Sequence, residues 1–361
     1  MRTYLLSFWA VVLLGAAALV GHGARRAEGA EPSSPAVLGP NRLVSLAAVE
    51  GFGETPVAST LAIDADAKRI ALGADDHGVH LLDLSGQQPT RRLDGHDDWV
   101  RAVAFHPQGR IVASAGDDRR LCLWDLDSPG QPRASATIDD PRASIRALAY
   151  SDDGRLLAAA GFAGAVWLHD GQSGRLLERR EAPGKDIRAL AFAPGGTLLA
   201  AAGRDGVVRV WDAEGRRLHD LKSDGRLVRA LAFSPEGAVL AAAGDGPNVE
   251  LWNPRDGQPT GRWAHGAGRA FALAFCGDDL LAVGGSGNGI VVHETTTGAA
   301  RWRLDGHTGT VAALVFEPAE RTLVSSGFDT TVRFWRLDVP AAAAVGTRAS
   351  PAPRTARAAA P

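Results

Sequence analysis

One sequence feature limits the fold more than any other: a short pattern recurs seven times along the chain at a nearly constant period. Each copy ends in a segment such as Leu123-Trp124-Asp125 or Val210-Trp211-Asp212. The middle positions of the seven segments are 82, 124, 169, 211, 252, 293 and 335, so the steps between them are 42, 45, 42, 41, 41 and 42 residues. A steady period of this length is typical of folds in which each repeat is one small structural unit packed against its neighbours.

The internal pattern of each copy predicts short antiparallel strands. An alternating stretch such as Val103-Ala104-Phe105 comes first, and a turn such as His106-Pro107-Gln108-Gly109 follows it. A strand of small residues, for example Leu199–Ala202, then leads through a Gly/Asp turn into the strand that carries tryptophan. Strands separated by turn residues at intervals of about ten indicate antiparallel β-structure. No segment beyond the N-terminal apolar run has a sustained helical period.

Two dipeptides, Gly95-His96 and Gly306-His307, each lie 28 residues ahead of the tryptophan of their copy. With them, residues 41–339 resemble the WD-repeat family. The resemblance implies an all-β fold, a seven-bladed WD40 β-propeller of four-stranded antiparallel blades around a channel. It also implies that each repeat supplies the outer strand of one blade and the inner three of the next. The last blade then lacks an outer strand, and residues 42–49 are the natural N-terminal strand to close the ring.

The two ends of the chain differ from the repeats. Arg2 precedes an apolar run over residues 5–20, and small residues follow it, so residues 1–24 have the layout of an export signal. The run is shorter than the roughly 20 residues that cross a bilayer, although an uncleaved membrane anchor at residues 5–20 is an alternative. Localisation is therefore predicted as exported, either periplasmic or secreted, or membrane-anchored. Residues 25–40 are predicted to be a flexible linker, and the Ala/Pro-rich residues 340–361 a disordered tail.

A serine, a histidine and an aspartate recur together with tryptophan at the same spacings in two copies, and they resemble a hydrolase triad. The WD-repeat resemblance instead implies that they form buried hydrogen-bonded tetrads that tie the strands of a blade together. Nothing in the sequence indicates the exposure or the oxyanion hole that a nucleophilic serine needs. We therefore predict no catalytic residue and two structural tetrads, which consist of His96, Ser114, Asp118 and Trp124, and of His307, Ser325, Asp329 and Trp335.

The remaining candidate sites are weak, so neither a metal nor a cofactor is predicted. His77 and His80 are two ligands at one turn, whereas structural zinc usually has four. Cys122 and Cys276 belong to blades far apart around the predicted ring, beyond the reach of a disulfide. The glycine-rich residues 284–289 precede no helix that would help to bind phosphate.

The most informative position follows the first apolar residue of each predicted inner strand. In Val100-Arg101-Ala102-Val103-Ala104-Phe105, Val103 and Phe105 are in phase but Val100 is one residue out of phase. A single β-bulge restores the phase and turns the extra side chain outward. The resemblance places this bulge at the channel mouth, where partners usually dock. From the first blade to the seventh the position holds Ser59, Arg101, Arg146, Arg188, Arg229, Phe271 and Ala312.

The sequence predicts that further residues join this face. Arg204, Phe162 and Phe328 each precede the tetrad-aspartate position of their blade, and Trp99 lies close to the bulge of the second blade. Arginine with aromatic residues is the composition of interface hot spots, and several guanidinium groups favour carboxylate or phosphate on a partner. The alternative is that repeat duplication copied the arginines without a function. The neighbouring acids, which are Asp97, Asp98 and Asp186, would then neutralise the ring.

Two classes of function follow from these patterns. The first is a non-catalytic scaffold that binds a protein partner of unknown identity, acidic if the arginine ring is functional. The second is an exported β-propeller enzyme, similar to a lactonase or a dehydrogenase. Such an enzyme needs acidic metal ligands or a cofactor pocket in the channel, whereas the inner-strand positions show arginine and alanine. A formal net charge of −2 and only three lysines argue against nucleic acid as a partner.

Overall fold

The computed structural model describes residues 35–46, 56–84, 91–127, 134–137 and 144–337, apart from residues 65, 67, 183, 185 and 225, and gives only the backbone of 134–137. The predicted export signal (residues 1–24), most of the predicted linker and the predicted tail (residues 340–361) lie outside the described residues. Within them the chain forms 29 β-strands, a 3-10 turn at Pro194–Gly196 and no α-helix.

The strands form seven sheets, one for each sequence copy. Two short strands, β1 (Ala36–Leu38) and β2 (Arg42–Ser45), precede the first sheet. Blades one to three consist of β3 (Ala58–Ile63), β4 (Arg69–Ala74), β5 (Val79–Asp83), β6 (Arg91–Leu93), β7 (Val100–Phe105), β8 (Ile111–Gly116), β9 (Arg120–Asp125), β10 (Ala134–Thr137), β11 (Ile145–Tyr150), β12 (Leu156–Gly161), β13 (Ala165–Asp170) and β14 (Leu176–Glu181). Blades four to seven consist of β15 (Ile187–Phe192), β16 (Leu198–Gly203), β17 (Val207–Asp212), β18 (Arg217–Lys222), β19 (Val228–Phe233), β20 (Leu240–Gly244), β21 (Asn248–Trp252), β22 (Pro259–Ala264), β23 (Ala270–Phe275), β24 (Leu280–Gly285), β25 (Ile290–Glu294), β26 (Ala300–Leu304), β27 (Val311–Glu317), β28 (Thr322–Gly327) and β29 (Thr331–Arg336).

Within each blade, consecutive strands pair antiparallel from the inner strand outward, so the fold is a seven-bladed β-propeller, as predicted. Each outer strand lies between the tryptophan strand of its own blade and the next inner strand in the sequence. The sequence repeat is therefore offset from the structural blade by one strand, which is the arrangement that the family resemblance implied.

The ring closes through the N-terminal part of the chain. Strand β2 pairs antiparallel with β29, with Arg42 opposite Phe334 and Ser45 opposite Thr331. The backbone N–H of Leu46 continues the ladder by donating to the carbonyl oxygen of Thr330 at 2.9 Å. The predicted closing strand is thus confirmed over residues 42–45, while residues 47–49 lie outside the described residues. Blade seven gains its fourth strand from the opposite end of the sequence.

Strand β1 differs from the predicted flexible linker, residues 25–40. It pairs parallel with β26, the outer strand of blade six, with Ala36 opposite Trp302 and Leu38 opposite Leu304. The two apolar side chains Ala36 and Leu38 pack against the buried cluster that contains Trp302. Blade six therefore has five strands. Three apolar residues are too few for a sequence pattern to indicate a strand, because only the contact with blade six makes them one.

The hydrophobic core lies between adjacent blades. One buried cluster joins Val79 and Leu93 of blade one to Val100 and Trp124 of blade two, and a similar cluster joins blades three and four. The second strand of each blade is rich in small residues (alanine, glycine or serine) and is buried beyond its first residue. Small side chains on this strand let adjacent sheets approach each other closely, so the repeat pattern of small residues affects the spacing of the blades.

Candidate functional site at the channel mouth

Every inner strand carries a β-bulge after its first residue. In blade two, Val100 lies opposite Gly116 and Ala102 lies opposite Ala115, so Arg101 has no opposite residue. The same register shift occurs in the other six blades. The predicted bulge is therefore confirmed, and it frees one side chain in each blade. Those side chains belong to Ser59, Arg101, Arg146, Arg188, Arg229, Phe271 and Ala312.

A glycine at the end of the second strand permits the chain to pack this closely at the bulge. In blade three the backbone of Ser144 and Ile145 lies directly against Gly161, and a Cβ atom there would collide with the carbonyl oxygen of Ser144. The same oxygen accepts a hydrogen bond from the N–H of Phe162 at 3.2 Å. The glycine thus fixes the backbone from which the side chain of Arg146 projects.

The freed side chains surround one cavity of about 250 Å³ at the channel mouth. The cavity is lined by all seven bulge residues together with Thr60, Ala313 and Phe328. The structure thus brings together six of the nine residues predicted to bind a partner. These six are Arg101, Arg146, Arg188, Arg229, Phe271 and Phe328. The other three, Trp99, Phe162 and Arg204, contact the arginines or their counter-ions.

Each of the four arginines at the mouth stacks on an aromatic ring. The guanidinium carbon of Arg101 lies 4.2 Å from the centre of the Trp99 ring. The ring of Phe162 lies between two arginines. Its centre is 4.7 Å from the guanidinium carbon of Arg146 and 4.9 Å from the guanidinium carbon of Arg188. Arg229 stacks on Phe271 at 4.7 Å. Cation–π contacts of this kind hold a long charged side chain in one orientation.

Carboxylates also pair with the arginines. The carboxylate of Asp117 accepts a hydrogen bond from Nε of Arg101 at 2.7 Å and lies 2.9 Å from Nη2 of Arg146. The hydroxyl of Ser144 donates to the same carboxylate. Asp117 belongs to blade two and Arg146 to blade three, so this carboxylate connects neighbouring blades at the mouth.

Two further carboxylates complete the arrangement. Asp186 accepts hydrogen bonds from Nε and Nη2 of Arg188, the latter at 3.0 Å, and lies 3.3 Å from Nε of Arg204. Asp245 accepts hydrogen bonds from Nε and Nη2 of Arg229 at 2.7 and 3.4 Å. The predicted pairing of Asp186 with the ring is therefore present.

The other predicted counter-ions lie elsewhere. Asp97 pairs with Arg120, and Asp98 accepts a hydrogen bond from the backbone of Trp99. The sequence reasoning missed Asp117 and Asp245. Both occupy the position before the tetrad aspartate, which is the position that singled out Phe162, Arg204 and Phe328. Reading that position in all seven blades would have found them.

Burial affects the electrostatics of one arginine in particular. Burial lowers the pKa of Arg146 below its ordinary value, and the charges of Arg101 and Arg188 lower it further, while Asp117 and Asp186 act in the opposite direction. A guanidinium nevertheless stays charged at any physiological pH. The mouth thus holds a partly desolvated cation between two like charges.

Each tetrad forms a linear chain of hydrogen bonds within its own blade. In blade two, Nε1 of Trp124 donates to Oγ of Ser114 at 2.7 Å, Ser114 is hydrogen-bonded to Nε2 of His96 at 2.7 Å, and Nδ1 of His96 lies 2.8 Å from Asp118. The hydroxyl of Ser114 has no solvent exposure. This geometry connects the segment before β7 and the β8–β9 turn, which hold His96 and Asp118, to the strands β8 and β9. The hydroxyl of Ser114 is therefore enclosed by the protein.

Blade seven repeats the chain of hydrogen bonds. Trp335 donates to Ser325 at 2.9 Å, Ser325 is bonded to Nε2 of His307 at 2.8 Å, and Nδ1 of His307 lies 3.0 Å from Asp329. The surroundings of the two tetrads differ, and one of the differing positions lies two residues before tryptophan. It holds Cys122 in blade two and Arg333 in blade seven, and Nη2 of Arg333 lies 3.5 Å from Asp329.

This difference gives the two histidines opposite pKa shifts. Burial by itself lowers the pKa of both. For His96, the hydrogen bond and charge of Asp118, with a contribution from Cys122, outweigh burial and raise the pKa to about 9. For His307, burial prevails over Asp329, and the charge of Arg333 lowers the pKa further. The shifts therefore favour the protonated form of His96 and the neutral form of His307.

A pH titration of stability can test this difference. The pKa of His96 is higher in the folded protein than its ordinary value of 6.5, so protonated His96 stabilises the fold. This stabilisation is complete below about pH 6.5 and is lost as the pH rises toward about 9. The free energy of unfolding of His96→Gln should be lower than that of the wild-type protein, and this difference should shrink by about 1–3 kcal/mol from about pH 6 to about pH 10. His307→Gln is the matched control, because a lowered pKa costs stability only on the acid side. Parallel profiles for the two variants in chemical denaturation would contradict the assignment.

Three blades lack tryptophan at the tetrad position, and their histidines make other buried contacts. In blade three, Nδ1 of His169 lies 2.9 Å from the carbonyl oxygen of Gly174. In blade six, Nε2 of His293 lies 3.2 Å from the carbonyl oxygen of His265, which is itself buried. In blade one, His80 lies 2.9 Å from Asp76. Among the described residues no three histidine, cysteine or acidic side chains form a cluster that could hold a metal ion.

Comparison with known proteins agrees with this geometry. The family model described as "WD domain, G-beta repeat" matches four segments, which are residues 87–125, 174–212, 215–253 and 298–336. Each match runs from an outer strand to the tryptophan strand of the next blade. The chain therefore contains WD repeats, four of which match the family model, in a propeller of seven blades.

Curated relatives of the WD-repeat protein include nuclear distribution proteins of fungi. It is 35% identical over 101 residues to nuclear distribution protein PAC1 of Tuber melanosporum, a stretch that covers 28% of this chain and 21% of the relative. It is 36% identical over 92 residues to nuclear distribution protein nudF of Aspergillus niger, covering 26% of this chain and 19% of the relative. The matched stretches thus span about a fifth of the length of these relatives.

The prediction of an exported (periplasmic or secreted) or membrane-anchored protein is wrong. The relatives that overturn it are described as nuclear distribution proteins. Within the described part of the chain, no helix has the length and apolar character needed to span a membrane. The apolar run at residues 5–20 lies outside the described residues. Its 16 residues and single preceding arginine form a pattern of low specificity, which explains why composition misled the prediction.

Proposed function

We propose that this WD-repeat protein is a non-catalytic scaffold. Its channel mouth binds acidic groups of a protein partner. The observation that carries the proposal is the cavity of about 250 Å³, lined by four arginines that each stack on an aromatic ring. Their side chains are only 18–24% exposed, so they are held in place before a partner arrives. Pre-ordered arginine and aromatic side chains in a concavity favour a small number of strong contacts.

The charge at the mouth supports an anionic partner. Five guanidinium groups, those of Arg204 and the four cavity arginines, face three carboxylates, which leaves an excess of two positive charges. The whole chain has a formal net charge of −2, so this excess is local. A local positive potential in a cleft attracts carboxylate or phosphate groups and orients them as they approach.

The arrangement supports a scaffold over the alternative of a propeller enzyme. The carboxylates Asp117, Asp186 and Asp245 all pair with arginine, which competes with metal binding. The serines of both tetrads have no solvent exposure. Neither feature offers the exposed nucleophile or the open metal site that catalysis needs.

Substitution of two arginines tests the proposal. Arg146→Ala combined with Arg188→Ala should weaken partner capture at least tenfold, since a hydrogen bond to a charged group is worth about 1.5–3 kcal/mol. The immobilised variant and the wild-type protein would be incubated with extract of the source cells, and the captured proteins quantified by mass spectrometry. Captured amounts should also fall as salt rises.

Arg255→Ala is the control, because this exposed arginine lies in a turn of blade five at the face opposite the mouth. Thermal unfolding of all variants would show whether the fold is retained. Full capture by the folded double variant would mean that the ring is a relic of duplication and that partners dock elsewhere.

A further inference from the structure

We infer that the mouth contains one dedicated carboxylate-binding subsite, between Arg101 and Arg146, which accepts an aspartate or glutamate that has an apolar neighbour in a partner peptide. The inference rests on the proposed function and narrows it to two of the four arginines. It follows from the unequal way in which the three carboxylates of the mouth are distributed.

Arg188 and Arg229 each form a two-pronged pair with one carboxylate, through Nε and Nη2. Arg101 and Arg146 instead share Asp117, each through a single nitrogen. The same carboxylate also accepts a hydrogen bond from Ser144. Two guanidinium groups and one carboxylate leave one positive charge uncompensated at this point.

Arg146 also has an unused donor. Its Nε atom is buried and has no hydrogen-bond partner. A buried donor without a partner destabilises the protein, and a ligand oxygen that accepts from it removes this penalty on binding. Arg204, which shares Asp186 with Arg188, differs because its side chain is 72% exposed and hydrated. The deficit of acceptors is thus confined to the Arg101–Arg146 pair.

The charge of the pair favours a carboxylate over a phosphate. A carboxylate carries one negative charge and neutralises the excess. A phosphate monoester carries nearly two at neutral pH and would approach Asp117, a like charge that accepts no hydrogen bond from it.

The rest of the cavity indicates which kind of residue lies beside the acidic residue in the partner peptide. Phe271, Ala312, Ala313 and Phe328 line the same cavity, and Phe328 is 47% exposed. These side chains come from blades six and seven, whereas the arginine pair comes from blades two and three. The mouth therefore has a charged part and an apolar part within a volume suited to one or two side chains. An acidic residue next to an aromatic or large aliphatic residue satisfies both.

Selection from a random heptapeptide library displayed on phage tests the inference. Peptides would be selected on the wild-type protein and counted again on Arg101→Gln/Arg146→Gln and on Arg188→Gln/Arg229→Gln. We expect enrichment of Asp or Glu next to an apolar residue, with an affinity loss at least tenfold greater for the first double variant than for the second. Replacing the acid of the best peptide by its amide should weaken binding at least tenfold. Asp117→Asn should strengthen binding several-fold, an effect that a merely structural role of the arginines does not predict.

Two further measurements keep each result decisive. Thermal unfolding identifies any variant that has lost its fold, and Arg146→Lys, which keeps the charge but lacks Nε, should then show an intermediate loss of affinity. A peptide in which phosphoserine replaces the acid and binds more tightly would overturn the choice of carboxylate.

Equal losses for both double variants, or no enriched acidic motif, would overturn the dedicated subsite while the mouth remains a binding site. Peptides that bind both double variants and the wild-type protein equally would overturn the proposed function itself.

Discussion

Removal of residues 1–46 is expected to make the propeller aggregate or lose most of its stability. The deletion leaves β29 with an unpaired edge along Thr331–Phe334, and exposed strand edges pair with other chains. It also removes Leu46, which has no solvent exposure and packs in the cluster shared by blades seven and one. One buried leucine contributes about 1.5–3 kcal/mol. The four lost strand residues add hydrogen bonds worth about 0.5–1.5 kcal/mol each.

The matched control is deletion of residues 1–34, which keeps both β1 and β2. Size-exclusion chromatography and thermal unfolding would compare the two truncated proteins. Leu46→Ala provides a milder version that leaves the ladder intact and should cost about 2–5 kcal/mol. A protein lacking residues 1–46 that is monodisperse and melts with the control would show that β2 does not close the ring.

Trp335→Ala is expected to destabilise the WD-repeat protein by about 3–5 kcal/mol, because it opens a cavity and breaks the tetrad of blade seven. Trp335 is 1% exposed and donates to Ser325, whose other bond connects to His307. Ser325→Ala should cost less, about 1–3 kcal/mol, since it leaves polar partners unsatisfied but removes little volume. Urea unfolding measures both values.

Trp99→Ala is the control for residue type. Its side chain is 41% exposed, so its loss should change stability by less than about 1 kcal/mol. A hydrolase activity that Ser325→Ala abolishes without changing the melting temperature would reverse the structural interpretation of the tetrads.

The repeat pattern predicted seven units of antiparallel strands because every blade obeys the same local rule, and the WD-repeat resemblance implied the propeller. The out-of-phase residue Val100 predicted the bulge at Arg101, since strand residues alternate between the two faces of a sheet. Because the WD-repeat resemblance placed this bulge at the channel mouth, four arginines were expected to surround one opening. Strand β1 was missed because its pairing depends on blade six alone, more than 260 residues away in the sequence.

The pairing of charges at the mouth depends on side-chain geometry that no repeat pattern contains. Asp117 lies in blade two, but it contacts arginines of both blades two and three. Which carboxylate serves which guanidinium is decided by distances across a blade boundary. The sequence therefore indicated where the arginines lie, but not that one pair shares a carboxylate.

Closure by the N-terminal strand has a consequence for synthesis of the protein. Asn41 and Arg336, which are joined by a hydrogen bond at the ring closure, are separated by 295 residues. At ribosomal rates of about 5–20 residues per second, β2 waits roughly 15–60 s before its partner strand emerges. Strand β1 likewise waits for β26. During this interval the segment that holds β1 and β2, which will pair with blades six and seven, has no native partner. Pairing with the same segment of another nascent chain on the same messenger RNA competes with folding at this stage.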